Sequence, residues 1–242
     1  MNLLLLSKNE VSNDNKVILK GRRQEHIRKI LKLGSGDQVR VGVINGLIGT
    51  AEITRIPDAE TIELELYSDS LKAPPPIVPC KVILAMPRPK MMRRVIQNLS
   101  SLGIKDIHLI NAWRVEKSFW QTPWLNPEKM KEQLALGLEQ SMDTAMPKVH
   151  IHKLFKPFVE DVLPSEIKGS KALVAHPYTK KPCPVELEEP STLIIGPEGG
   201  FTPYEVNMLH KAGVEAVNIG PRILRVETVI PVLISRLYPA GT

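Results

Sequence analysis

Apolar and polar positions alternate in Val39-Arg-Val-Gly-Val-Ile44, and the same two-residue period returns over Thr61 to Tyr67, TIELELY. Such alternation sends successive side chains to opposite faces of a half-buried strand. Asn45-Gly46, lying between the first run and the apolar stretch Leu47 to Ile53, predicts a hairpin because both residues tolerate positive φ. Ahead of these strands, HIRKILKL places Ile27, Ile30 and Leu31 on the apolar face of a short helix, with Gly34 ending it. The N-terminal region therefore reads as a small β-rich module.

LKAPPPIVP then interrupts the pattern. Its four prolines at Pro74, Pro75, Pro76 and Pro79 restrict φ and remove amide donors, which makes an extended, semi-rigid spacer. The expected boundary divides the chain into domains 1-72 and 73-242. Beyond it the period changes. Lys81 to Met86 reads as a buried strand, Met91 to Leu102 as a helix stopped by Gly103, Ile104 to Asn111 as another apolar run, and Pro127 to Ala145 as a helix. Ala172 to Ala175, Leu193 to Ile195 and Ala216 to Ile219 are further short strands. Strands separated by helices predict an α/β domain with a mostly parallel sheet covered on both faces.

The segment LIIGPEGGFTPYEV, Leu193 to Val206, is a strand, a tight loop and a helix start. Thr202 and Glu205 have capping-box spacing, Pro203 suits the first helical turn, and Phe201 and Val206 can staple across the cap. Gly213 ends this helix after about Ala212. Ile219-Gly-Pro221 repeats the Ile195-Gly-Pro197 move 24 residues later. A right-handed crossover between parallel strands puts both loops at one edge of the sheet, where ligands of open α/β sheets bind. Neither GxxxxGK[ST] nor GxGxxG occurs, and Gly34-Ser-Gly36 is a lone turn pair. GPEGG carries the carboxylate of Glu198 and no cation, which favours a cationic or uncharged polar ligand. S-adenosyl-L-methionine has that chemistry: a sulfonium, an adenine and no phosphate.

With 43% apolar residues the chain can fill cores of this size. LLLL at Leu3 to Leu6 is too short for a signal peptide or a bilayer span, so a cytoplasmic protein with no membrane partner is expected. Cys80 and Cys183 stand far apart with no zinc-site spacing; buried free thiols and no metal are expected. Formal net charge is +6. Between Lys16 and Arg40, eight basic residues face Glu25 and Asp37 alone, a local balance of 8 − 2 = +6. Arg22, Arg23, Arg28 and Lys29 in that stretch are candidates to grip RNA phosphates, and a solvated charged surface is the other reading. PRPKMMRR, from Pro87, is a second basic stretch. Trp113, Trp120 and Trp124 fit ordinary packing, base stacking or a subunit contact.

LIIGPEGGFTPYEV and VNIGPRILRVET resemble the two signature loops of the RsmE-type 16S ribosomal RNA uracil methyltransferases of the SPOUT superfamily, and HIRKILKLGSGDQV resembles their N-terminal barrel. The resemblance implies a PUA-like β-barrel followed by a methyltransferase domain with a C-terminal trefoil knot. It also implies a homodimer, with S-adenosyl-L-methionine as cofactor and the ring nitrogen 3 of one uridine of 16S rRNA, in the small ribosomal subunit, as target. Carried onto this chain, the cofactor lies against Gly196, Glu198, Gly199 and Gly200, and against Ile219, Gly220, Pro221, Ile223 and Leu224. His176 and Pro177 form a third wall. The family's QKATELG, EQSGR and RTETA correspond here to Gln97-Asn-Leu-Ser-Ser-Leu-Gly103, Glu139-Gln-Ser-Met-Asp143 and Arg225-Val-Glu-Thr-Val229, and Pro231 is expected to kink or delay the last helix. Arg225 is the candidate to stabilise charge on the uracil carbonyls while Glu227 orients the arginine or the substrate; a structural ion pair at a helix start is the alternative. A non-catalytic RNA-binding or ribosome-assembly factor, a different target nucleotide and another adenine-containing ligand remain open.

Overall fold

The computed structural model describes residues 2–239. It forms two compact units, the first comprising the chain up to Pro76 together with Ala135–Met146, the second Ile77–Leu134 together with the chain from Pro147 onward.

In the first unit, β1 (Leu4–Leu6), β2 (Lys16–Leu19), β3 (Gln38–Val43), β4 (Ile48–Arg55) and β5 (Ile62–Leu66) form one sheet in the order β1-β3-β4-β5-β2. β1 lies parallel to β3 and the other pairs are antiparallel. The predicted hairpin is present: Gly42 pairs with Ile48 and Asn45 adopts φ 58° in the turn. LLLL shows no alternation because both of its faces are covered. Leu4 and Leu6 enter the core with Val17, Val41 and Ile53, while Leu3 and Leu5 pack against Ile48 and Leu138.

The apolar face expected for HIRKILKL is corrected. An α-helical turn, α1 (Arg22–Glu25), passes into π-helical winding over His26–Leu31. The wider turn takes the residues off the 3.6 period. Ile27 is fully buried, whereas Ile30 and Leu31 are 67% and 43% exposed. The helix stops at Lys32, whose φ is 56°, rather than at Gly34.

In the second unit, six strands run parallel: β6 (Cys80–Ala85), β7 (Asp106–Ile110), β8 (Lys148–His152), β9 (Lys171–Ala175), β10 (Ser191–Ile195) and β11 (Glu215–Val217), in the order β11-β9-β10-β6-β7-β8. The helices are α2 (Pro89–Ser101), the N-terminal half of α3 (Pro127–Ser141, which belongs to the first unit from Ala135), α4 (Phe155–Pro157), α5 (Leu163–Glu166), α6 (Pro203–Lys211) and α7 (Val226–Leu237). Central β10 is buried along its whole length, as a strand covered on both faces must be. Gly103 follows α2 with φ 82°, the left-handed geometry its stop requires. α3 ends four residues before Ala145, where Met142 takes φ 58°.

Pro231 does not delay α7, which starts at Val226 and runs through the proline with Ile230, Leu233, Ile234 and Leu237 buried. α7 packs on α2, although the strand before it, β11, is the outermost of the sheet. The segment after β9 touches both ends of this route: the Cys183 amide donates to the Asn218 carbonyl at 2.7 Å, and the Leu187 amide to that of Leu237 at 2.8 Å. Cys80 and Cys183 are buried free thiols. Among the described residues, no helix is long and apolar enough to cross a membrane.

Candidate cofactor and substrate site

The loops after β9, β10 and β11 line one cavity of about 320 Å³. Their strands are parallel neighbours, so all three loops leave the sheet at its carboxyl edge. His176, Pro177, Gly196, Glu198, Gly199 and Gly200 meet here with Ile219, Gly220, Ile223, Leu224 and Arg225. Pro221 is not part of the lining. Glu227 lines an adjoining cavity of about 800 Å³, which Glu198 and Arg225 share.

Local geometry explains the glycines at two points. Gly220 has φ 124°, a conformation that side-chain-bearing residues rarely adopt, and the Asn218 side-chain oxygen accepts its amide at 3.1 Å. At Gly196, a Cβ would stand 3.2 Å from the ring of Phe201, which is buried. The cavity floor is apolar, with Ile195, Val217 and Leu233, and burial lowers the pKa of His176 and so favours a neutral imidazole.

The charge of the cavity extends beyond the GPEGG loop. Arg114, Arg222 and Arg225 all reach its lining. Arg114 comes from the stretch after β7 and donates to the Gly199 carbonyl. It stands beside Trp113, and nothing in its local spacing marks it as a partner of a loop 85 residues away. Glu198 accepts the Arg88 amide at 3.2 Å, so its carboxylate lies at the positive end of α2. Arg88 and Lys90, from the second basic stretch, line the adjoining cavity with Arg225 and Glu227.

The capping box at Thr202 is formed, and the buried Glu205 also accepts the Trp113 amide. Trp113 itself is 83% exposed, so ordinary packing does not describe it. The other two tryptophans are engaged: Trp120 donates to the Asn111 side chain at 3.0 Å, and the Arg93 guanidinium lies 5.0 Å from the Trp124 ring centroid.

The four basic candidates of the first unit lie together on residues 22–29, and each meets an acceptor within the protein. Arg22 bonds Glu139 at 2.9 Å, and Arg23 bonds Glu10 and the Leu5 carbonyl. Arg28 reaches the Ala59 carbonyl, and Lys29 pairs with Glu25 at 3.2 Å across one helical turn. The departures from the family motifs have local structural uses: Asp143 is buried and accepts the Ala145 amide at 2.9 Å, and the Ser101 hydroxyl donates to the Asn98 carbonyl at 3.0 Å.

A family model described as an RNA methyltransferase domain matches residues 74–238. The chain belongs to this RNA methyltransferase family. A second model, an RNA methyltransferase PUA domain, matches residues 19–67. The chain is 29% identical over 239 residues to a Ribosomal RNA small subunit methyltransferase E of Treponema pallidum, covering 94% of this chain and 87% of that protein. It is 27% identical over 232 residues to the Ribosomal RNA small subunit methyltransferase E 1 of Borreliella burgdorferi, covering 94% and 93%. Among solved structures, that of a Ribosomal RNA small subunit methyltransferase E from Neisseria gonorrhoeae, bound to S-adenosyl methionine, superposes with TM-score 0.74 over 97% of this chain and 95% of that one at 22% identity. The resemblance read from the two glycine loops holds for the family and for the fold.

Proposed function

We propose that this protein transfers the methyl group of S-adenosylmethionine to ring nitrogen 3 of one uridine in 16S rRNA of the small ribosomal subunit, acting in the cytoplasm as a homodimer. One observation carries the reading: three loops from neighbouring parallel strands converge on a single cavity of ligand size. The relatives named as ribosomal RNA small subunit methyltransferases, and the neisserial structure with its bound S-adenosyl methionine, support it. Gly196, Glu198, Gly199 and Gly200 face Ile219, Gly220, Ile223 and Leu224 across the donor, with His176 and Pro177 as the third wall. The carboxylate of Glu198 and a neutral His176 suit a sulfonium, while Arg114, Arg222 and Arg225 suit the carboxylate of the donor's methionine part. In this reading residues 1-72 hold RNA and residues 73-242 carry out the transfer.

Bound S-adenosylmethionine supplies an activated methyl group. The protein aligns the uridine nitrogen for in-line attack on that methyl group and favours release of the nitrogen's proton to solvent as the new N–C bond replaces the C–S bond. The resulting charge spreads onto the flanking carbonyl oxygens. Arg225, which faces both cavities, stabilises it, and Glu227 orients the arginine or the base. We further infer that the C-terminal segment is threaded as a trefoil knot, an exception to the rule against knots. The hydrogen bonds of residues 183–187 to both ends of the route from β11 to α7 support this. Trp113 and Tyr204, both exposed beside an apolar cavity, favour a subunit contact there.

Mass spectrometry of nucleosides from the ribosomal RNA of cells lacking this protein tests the reaction. N-3-methyluridine is expected to be missing and to return with the wild-type gene; its full retention in the deleted strain would refute the assignment.

A further inference from the structure

A second cluster of chemistry lies on β7 and edge strand β8, and methyl transfer gives it no role. Parallel register sets His108 opposite His150 and Ile110 opposite His152. Side chains two apart share a face of a strand, so Asp106, His108, His150 and His152 project together. The His108 ring stacks on that of His150, with centroids 4.6 Å apart and planes at 25°, and lies nearly parallel to that of His152.

The buried atoms of this cluster are left in an unusual state. The His108 side chain is 2% exposed, and its Nδ1 lies 3.1 Å from His152 Nε2. His108 Nε2 faces Asp106 Oδ1 at 3.2 Å, yet both atoms are buried and neither has a hydrogen-bond partner. His150 Nε2 stands 3.4 Å from the same oxygen. Lys81 pairs with the other oxygen of this carboxylate: it is bonded to Glu166 and stands 3.4 Å from Asp106 Oδ2, leaving Oδ1 to the histidines. Polar atoms buried without partners are costly, and a cation between them would remove that cost.

The spacing fits a metal ion. Tetrahedral zinc holds imidazole nitrogen and carboxylate oxygen at roughly 2.0–2.2 Å, which places neighbouring ligand atoms about 3.4 Å apart. The two contacts of Asp106 Oδ1, at 3.2 and 3.4 Å, have this separation, and the three ligand atoms of Asp106, His108 and His150 all lie within 4.8 Å of one another. The contact between His108 Nδ1 and His152 is the outer hydrogen bond that orients a metal-bound imidazole. Glu166 Oε2, 3.6 Å from His108 Nε2, is held by Lys81, which leaves the fourth position of the ion to solvent. Two imidazoles and a carboxylate suit zinc or a neighbouring divalent transition ion.

We propose that Asp106, His108 and His150 bind one divalent transition-metal ion, of the zinc class, which clamps edge strand β8 to β7. The site stands at the opposite end of the sheet order from β9 and β11, and it is independent of the methyl-transfer reading. Lys81, held beside Glu166, lowers the net negative charge of the site and makes it weaker than an all-cysteine structural centre.

Cobalt(II) titrated into the chelator-treated, full-length protein tests the proposal through its visible absorption, with zinc(II) as competitor. One equivalent is expected to give a tetrahedral-type spectrum that zinc abolishes, and zinc is expected to raise the melting temperature. His150→Ala is the informative variant because this side chain is half exposed and its loss opens no core cavity. It should weaken cobalt binding by at least about tenfold and remove the zinc-dependent rise in melting temperature. His210→Ala, on an exposed position of α6, should change neither. Absence of the cobalt spectrum and of the zinc effect in the wild type, or undiminished binding by His150→Ala, would overturn the site.

Discussion

The carboxylate of Glu205 joins the loop bearing Trp113 to the start of α6. One oxygen accepts the Trp113 amide at 2.7 Å, and the other accepts the Thr202 amide at 2.8 Å and its hydroxyl at 2.9 Å. Glu205 is 3% exposed, so no water replaces these bonds when the acceptors are removed. Glu205→Ala is expected to cost about 1–3 kcal/mol for each stranded amide. In a protein of this size that is a fall of several degrees in melting temperature. Glu205→Gln keeps one acceptor and should lose less. Thermal melts of the two variants check the order, and equal melting temperatures for the wild type and the alanine variant would remove Glu205 from this role.

The basic residues of the first unit should separate into two behaviours. Arg22 neutralises Glu139, whose side chain is 3% exposed, so Arg22→Ala strands a buried carboxylate and should destabilise the fold. Lys29 is 70% exposed in its pair with Glu25, and surface pairs of this kind contribute little. Lys29→Ala should therefore leave the melting temperature unchanged while lowering the salt dependence of RNA binding by about one phosphate contact. Filter binding over a salt series, alongside thermal melts, reads both effects.

Acid should weaken the first unit through Glu10. Burial raises the pKa of this carboxyl, but hydrogen bonds and charge from Arg23, with bonds from Ser7, outweigh it and bring it from 4.5 down to about 2. A carboxyl with a depressed folded-state pKa contributes stability that is present above about pH 4.5 and is lost as pH falls toward 2. Glu10→Gln should flatten the loss of stability in that window and should lower stability at neutral pH. Chemical denaturation at several pH values tests this; parallel curves for wild type and variant would show that Glu10 is not the titrating group.

Arg225 should act on the transfer step more than on donor binding. Arg225→Ala is expected to slow single-turnover methylation of RNA at saturating S-adenosylmethionine by at least about tenfold, or 1.4 kcal/mol, while donor affinity stays within about threefold. A single-turnover rate near that of the wild type would leave Arg225 as a structural residue at the N-terminus of α7.

Much of this architecture is legible in local pattern. The hairpin at Asn45-Gly46, the capping box at Thr202 and the glycine stops at Gly103 and Gly213 are each set by residues close in sequence, so short-range reasoning finds them. The pairing of the two Gly-Pro loops follows from crossover handedness alone. What escapes is set by contacts distant in sequence. β8 carries polar His150 and His152 because it is the sheet edge, and its composition does not announce a strand. β1 is hidden by burial on both faces. Residues 135–146 close the core of the first unit from far along the chain, and Arg114 reaches the Gly199 loop from a segment dominated by tryptophans. The π-helical winding at His26–Leu31 defeats a 3.6-residue reading and leaves Ile30 and Leu31 outside the core.

The central claim is that the loops after β9, β10 and β11 together hold the methyl donor. Calorimetric titration of S-adenosylmethionine into the wild type and into Gly220→Val tests it most directly. A β-branched residue cannot easily hold φ 124°, and the resulting strain of about 1–3 kcal/mol should displace the loop. The account predicts one donor bound per wild-type chain and at least about tenfold weaker binding by the variant, with its melting curve still cooperative. No binding by the wild type, or an undiminished affinity in the variant, would contradict it.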